Sequence, residues 1–333
     1  MKRPIRVAAL VALFGLTLFV CYFRLPYYAV GPGPAREVGP LIEVKDHQRY
    51  DSAGKLIMTT VSYAQVTALQ ALGAWFDPVT QVVHEDVLFA PGEDRSTERQ
   101  RAISQMDTSK INATYVVMQH LTDYPKEHAD GALIQATVEG CPAFDELFPG
   151  DLITAIDGEP VGSSKQASTA IDAVPDDEPI AFTVRAAGET HDVSLTREAC
   201  APKDPDRYVG ISTVNPFPIP VTISSGDIGG PSAGLMFSLG LYDALTPGDL
   251  TDGRTIAGTG TMDPDGTVGP IGGITDKVVA AERVGATVFL VPKDNMAELE
   301  GVDVGDMQLI SVATFDQAVR ELEALGGAGS EPT

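Results

Sequence analysis

Along the chain, hydrophobic positions fall into two uncharged runs and a series of shorter mixed segments, and the two runs predict buried helices of different kinds. Val7 to Phe23 carries no charge. Its length sits at the short end of the ~17–25 residues that cross a bilayer. Lys2, Arg3 and Arg6 precede it, and Tyr22, Tyr27 and Tyr28 follow, as expected of a cytoplasmic flank and an outer interface. The pattern predicts an N-terminal transmembrane helix over 7–28, a cytoplasmic stub over 1–6 and a single-pass cell-membrane protein with its bulk outside the cytoplasm. A cleaved signal peptide is the rival, although Arg24-Leu-Pro-Tyr-Tyr follows without a clear small-x-small cleavage site. The second run, Ala233 to Tyr242, predicts a helix inside a folded core.

The mixed segments predict the rest. Gly and Pro are dense from Ala29 to Pro40, which reads as a linker. Leu41 to Val44 and Leu56 to Val61 flank a polar turn and read as a hairpin, 41–63. Helical spacing over Ala64 to Trp75 and Arg95 to His120 makes 64–125 a helical connecting region. From about residue 126 to 200 the pattern changes to short strands with tight turns. Strands are expected at Ala132 to Val138, Ile180 to Val184 and His191 to Leu195, a short helix at Pro142 to Phe148 and a longer one at Ser164 to Ala173. After a hinge at 201–206, residues 205–325 alternate strands and helices, and 326–333 form a tail. The alternation defines an α/β (α+β) fold class for the C-terminal part.

Chemistry concentrates in that part. Ile219 to Ser224 reads as a strand, followed by Asp227-Ile-Gly-Gly-Pro-Ser232-Ala233-Gly234 and the second apolar run. Strand, glycine-rich turn and helix place Ser232 in the first helical turn, where free N–H groups and the helix dipole favour an oxyanion. Gly229 and Gly230 leave room for a substrate backbone, and Ala233 lies on the same oxyanion side. A plain N-cap serine satisfies the same pattern. A serine nucleophile needs a base. The five histidines all lie upstream with no triad spacing. Lys277 is the other candidate: with Thr275 as N-cap it falls in the first turn of a helix ending at Gly285, where the dipole lowers an ammonium pKa. A solvated surface lysine is the bland alternative.

Taken together, Gly230-Pro-Ser-Ala-Gly234, Gly258-Thr259-Gly260 and Gly272-Gly-Ile-Thr-Asp-Lys277 with Ala280-Ala281 resemble, in order, the motifs of the Lon proteolytic domain, a family with a Ser–Lys dyad. The resemblance implies that Ser232 attacks a peptide carbonyl and that Lys277 takes its proton and returns it to the leaving amine. Thr259 would hydrogen-bond near the lysine. Two departures are visible. Gly229 stands where the family often has an acidic residue, and the acidic-plus-basic pair around the lysine of ATP-dependent members is missing.

Upstream, Pro149-Gly-Asp-Leu-Ile153 with Asp157-Gly158 resembles the signature of PDZ domains, here inserted over 126–200. That implies a sheet edge taking an extended peptide, with Gly131, Ala132, Leu133 and Ile134 as the binding loop. A spacer, or a lid whose groove is filled by its own chain, is the alternative. The whole resembles the PDZ-containing Lon-like proteases of Gram-positive bacteria, whose members tend to form homo-oligomeric rings.

Composition narrows the partners. A formal charge of −23 argues against nucleic acid. No Gly-x-x-x-x-Gly-Lys-Ser/Thr loop occurs, so no ATP is expected. His84-Glu85 has no second histidine at ligand spacing, and neither metal nor cofactor is implied. Cys21 lies in the first apolar run, which leaves Cys141 and Cys200 as a disulfide or as two separate thiols. The sequence therefore points to an ATP-independent serine endopeptidase acting on protein or peptide substrates. Against it stand a catalytically silent PDZ adaptor and, further off, a phosphate-binding small-molecule kinase.

Overall fold

The computed structural model describes residues 2–77, 79–89, 95–126, 131–186, 188–201 and 206–328. Most of the hinge at 201–206 and of the tail at 326–333 lies outside them.

The N-terminal part comprises α1 (Lys2–Tyr22), β1 (Arg24–Glu37), β2 (Ile42–Val44), β3 (Lys55–Thr67), α2 (Ala68–Ala74), β4 (Gln81–His84) and the long α3 (Arg95–Leu121). A smaller β-rich unit follows: β5 (Ala132–Thr137), β6 (Leu152–Ile156), β7 (Glu159–Pro160), α4 (Ser164–Ala173), β8 (Ile180–Ala186), β9 (Glu189–Leu195) and β10 (Ile211–Val214). The C-terminal part is β11 (Val221–Ile223), α5 (Gly234–Leu245), β12 (Thr255–Gly258), β13 (Thr261–Met262), β14 (Val268–Gly269), α6 (Ile274–Arg283), β15 (Val288–Pro292), β16 (Gln308–Val312) and α7 (Phe315–Ala324).

One six-stranded sheet, ordered β16-β15-β12-β3-β1-β4, joins the N- and C-terminal parts. Its β16, β15, β12 and β3 run parallel, while β1 is antiparallel to both β3 and β4. The helix from the second apolar run, α5, packs against this sheet. Leu235, Met236, Phe237, Leu239 and Leu241 on it are fully buried, which explains why the run carries no charge. The smaller unit has its own core, including Ile134, Ile153 and Phe182, so its strands need no help from the larger sheet to bury their apolar face. Cys141 and Cys200 are joined there as a disulfide with Cα atoms 4.6 Å apart.

Several expectations are corrected. Among the described residues no helix is long and apolar enough to cross a membrane, so the transmembrane anchor and the single-pass localisation are not supported. The physical reason is length. Helix α1 begins within the cationic segment that holds Lys2, Arg3 and Arg6, and its uncharged portion rises only about 24 Å against a hydrocarbon core of about 30 Å.

The Gly/Pro-dense stretch read as a linker is instead most of β1, a strand interior to the sheet. Its Pro and Gly residues mark an irregularity: the register with β3 shifts between Pro32 and Ala35, and a Cβ on Gly33 would stand 2.4 Å from Thr60 Oγ1. The expected hairpin is also redistributed. Strand β2 pairs with β11, and β3 pairs with β1 and β12. Residues 64–67 extend β3 rather than starting a helix, and Thr67 caps α2 through a capping box with Gln70. Residues 142–146 form turns and 147–148 are irregular, so no helix runs there.

Candidate active site

Three elements converge on Ser232. The turn before α5 carries it: Gly234 N–H donates to Pro231 O at 3.4 Å, and α5 begins at Gly234 with Ala233 as N-cap. Ser232 thus stands just before the helix, not within its first turn. The positive helix end still points at it, and the N–H groups of Ser232 and Ala233 have no partner among the described residues.

The second element is α6, which delivers Lys277. Its N-cap is Gly273, in the left-handed region at φ +67°, and not Thr275. A Cβ on Gly273 would approach Val61 Cγ2 to 2.7 Å, so glycine answers both the backbone geometry and the close packing on β3. From there Lys277, only 3% exposed, donates from Nζ to Ser232 Oγ at 2.8 Å and to Thr259 Oγ1 at 3.1 Å. No carboxylate lies within ion-pair distance of Nζ among the described residues. Burial therefore acts unopposed and pushes the ammonium down to about 8.

The third element is the end of β12. Thr259, 1% exposed, receives the lysine bond and passes its own proton to Ser232 O at 2.9 Å. Gly260 N–H reaches the same carbonyl at 2.9 Å. One threonine therefore holds both the Ser232 backbone and the Lys277 ammonium.

Gly229 and Gly230 have a packing role beside the one expected. A Cβ on Gly229 would meet Ala102 Cβ at 2.8 Å, and Gly230 N–H is already donated to Ala102 O at 2.7 Å. Gly230 also has φ +89°. Both glycines dock the Ser232 turn onto α3, and both also line the cleft beside Ser232, where a Cβ on Gly230 would meet nothing within 4 Å. Sequence reasoning missed α3 as part of the site. Ser109, two helical turns beyond Ala102, donates from Oγ to Pro231 O at 2.9 Å. The small residues Ala102 and Ser109 on one face of a long helix were the available signal.

Farther along α3, Asn112 donates to Met262 O at 2.9 Å and accepts from Gln135 of β5 at 2.9 Å. Opposite Ser232, buried Asn295 grips both backbone groups of Ile271 at 2.9 Å, which fixes the loop leading into α6. Together these parts border a cleft of about 1010 Å³, with Ser232 and Lys277 in its lining and Thr59, Tyr63, Met106 and Ile228 on its walls.

Gly131, Ala132, Leu133 and Ile134 are not in this cleft. Gly131 precedes β5 and the other three begin it; β10 pairs along one side of Leu133 and Ile134 (Val214 opposite Leu133, Thr213 opposite Ile134), and β6 pairs with Ala132 and Leu133 on the other. Ser164 at the start of α4 donates from Oγ to Thr213 O at 2.8 Å, closing β10 in from above. The edge expected to take a peptide is filled by the chain itself.

With this geometry in view, comparison with known proteins is informative for the C-terminal part. Residues 216–324, which contain Ser232, Thr259 and Lys277, match the Lon protease (S16) C-terminal proteolytic domain. Lon protease 2 of Herpetosiphon aurantiacus is 39% identical over 87 residues, 26% of this chain and 10% of that protein. The Lon protease of Vibrio parahaemolyticus is 37% identical over 94 residues, 27% of this chain and 12% of its own length. Lon protease 2 of Bacillus subtilis is 34% identical over 96 residues, or 28% and 17%. The chain thus spans only a small fraction of these relatives.

Among solved structures, the PDZ domain of the SdrC-like protein from Listeria innocua is 26% identical, covering 25% of this chain and 93% of that one at a TM-score of 0.23. Its counterpart from Listeria monocytogenes is 27% identical, covering 27% and 93%, also at 0.23.

Proposed function

We propose that the protein is a serine endopeptidase in which Ser232 and Lys277 act as a dyad, working without ATP on protein or peptide substrates. The observation that carries this reading is the 2.8 Å bond from a buried, carboxylate-free lysine to the serine hydroxyl. The match of residues 216–324 to the Lon proteolytic domain supports it.

In this mechanism neutral Lys277 accepts the Ser232 proton as Oγ attacks the scissile carbonyl. The developing oxyanion lies at the start of α5, where the N–H groups of Ser232 and Ala233 are free to meet it. The protonated lysine then gives its proton to the leaving amine, and water, deprotonated by the same lysine, releases the acyl group. Thr259 keeps Nζ aimed at Oγ throughout.

The test is hydrolysis of casein by the full chain without nucleotide, beside Ser232→Ala and Lys277→Ala. Loss of activity in both variants is expected. Activity that survives Ser232→Ala would rule out the nucleophile, and a requirement for ATP would rule out the stand-alone mode.

A further inference from the structure

The cleft around Ser232 is cationic in a chain that is otherwise strongly acidic. Overall, 46 Asp and Glu face 23 Lys and Arg. Among the described residues the cleft reverses this: Arg24, Arg36, Arg95, Arg99 and Lys277 line it against Glu98 and Asp227.

Of these carboxylates Asp227 is ion-paired, whereas Glu98 keeps its charge. Glu98 accepts from the Tyr63 hydroxyl at 3.1 Å, and Asp227 faces Arg99 at 3.4 Å. Among the described residues no carboxylate pairs with the remaining arginines. Arg95 donates to the neutral amide of Gln65 at 2.7 Å and lies 5.7 Å over the Tyr28 ring. Arg24 and Arg36 have no carboxylate within ion-pair distance among the described residues. Arg36 also sits beside the turn that carries the nucleophile, its Nη1 3.6 Å from where a Cβ of Gly226 would stand. Arg24 begins β1 and Arg36 nearly ends it, so the two cations stand toward opposite ends of the strand that walls the cleft.

The acidic exterior does not cancel this local surplus. At physiological salt the screening length is about 8 Å, so distant carboxylates fade, whereas a concave wall focuses the charges that line it.

We propose that the cleft selects extended acidic peptides, with Arg36 meeting an acidic side chain near the scissile bond and Arg24 meeting one farther along the peptide, toward the other end of β1. The inference rests on the peptidase reading above, and binding and cleavage test the two separately.

Fluorescein-labelled peptides sharing one apolar centre and flanked by Glu, Gln or Lys are titrated into the full-length Ser232→Ala protein and followed by anisotropy. Two accessible charge contacts predict roughly tenfold tighter binding of the Glu peptide than of the Lys peptide. The Gln peptide should fall between them, and the ratio should collapse in 0.5 M salt, a value on the order of several times physiological ionic strength. Arg36→Glu should bring the ratio toward unity. Equal or tighter binding of the Lys peptide to the Arg36-containing protein overturns the proposal, and this comparison needs no variant of the arginine to fold.

The same peptides are then offered to the enzyme with Ser232 intact. Charge-selective binding without cleavage would overturn the peptidase reading and leave selection standing. Cleavage with no charge preference in kcat/KM would overturn selection and leave the peptidase standing.

Discussion

The hydroxyl of Ser109 donates to the carbonyl of Pro231 at 2.9 Å, which ties the middle of a long helix to the residue before the nucleophile. It complements the Gly230 N–H bond to Ala102 O at 2.7 Å, so one face of α3 holds the nucleophile turn at two points. Ser109 touches neither substrate nor the reacting atoms and acts by positioning. Ser109→Ala should lower kcat about tenfold with KM nearly unchanged, because a nucleophile displaced by a fraction of an ångström loses attack geometry before it loses binding. Stability should fall by only about 1 kcal/mol. Steady-state kinetics and a thermal melt check both, and a change confined to KM would refute the positioning role.

Lys277 must lose its proton to act, and burial holds its pKa at about 8. The rate should therefore climb with pH to a plateau, with a midpoint near 8 for kcat/KM on an uncharged peptide. Linkage gives a second reading. Below about 8 both folded and unfolded states bind the proton, and the folded state bears the burial of a charge. Between there and the ordinary value of 10.5 the unfolded state binds more protons, so this lysine's contribution to stability rises with pH.

It follows that Lys277→Met should abolish hydrolysis and yet raise stability at pH 7, by on the order of 1–3 kcal/mol once the two lost hydrogen bonds are deducted. The advantage should shrink towards pH 10, the region of an ordinary lysine's titration at about 10.4. Denaturant melts of both proteins at pH 7 and pH 10 measure it, and a less stable variant at pH 7 would contradict the burial argument.

Gly229→Ala should be damaging for a reason unrelated to substrate. The added methyl would lie 2.8 Å from Ala102 Cβ and 3.1 Å from the Ala102 carbonyl carbon, so turn and helix must part. A cost of about 1–3 kcal/mol and a large loss of kcat are expected. Ala102→Gly in the same chain should recover part of the activity. Failure of the double variant to recover any would show that Gly229 faces the substrate after all.

The Cys141–Cys200 bridge spans a separation of 59 residues within the small β unit and closes the loop that holds β6 to β9. Reduction should destabilise that unit by about 2–4 kcal/mol through restored chain entropy. Calorimetry with and without reductant should show the transition of this unit shifting downward while the larger sheet's transition moves less. Equal shifts would mean that the two units melt as one.

Much of the C-terminal part could be read directly from the chain, because its signals are local. An uncharged apolar run must be buried, so α5 was legible. Alternating segments over 205–325 marked a unit of mixed strands and helices, as β11 to α7 are. Three short motifs were enough to single out Ser232, Thr259 and Lys277, because turns that bring reactive groups together need glycine at set positions.

Decisions between distant segments were not legible. The Gly/Pro content of 29–40 looked like a linker until the partners of β1 on both sides were known. Its bulge is a property of pairing with β3, not of the stretch itself. The membrane expectation failed on a length that only the helix boundaries supply. The roles of Gly229 and Gly230 turned on α3, more than a hundred residues earlier in the chain, which leaves no trace in local spacing. The edge of β5 over Leu133 and Ile134 is closed because β10 returns to it from beyond Cys200. A sequence specifies local propensities and reactive groups, while which strand occupies which edge, and which helix backs a nucleophile, is settled by burial and backbone pairing across the whole chain.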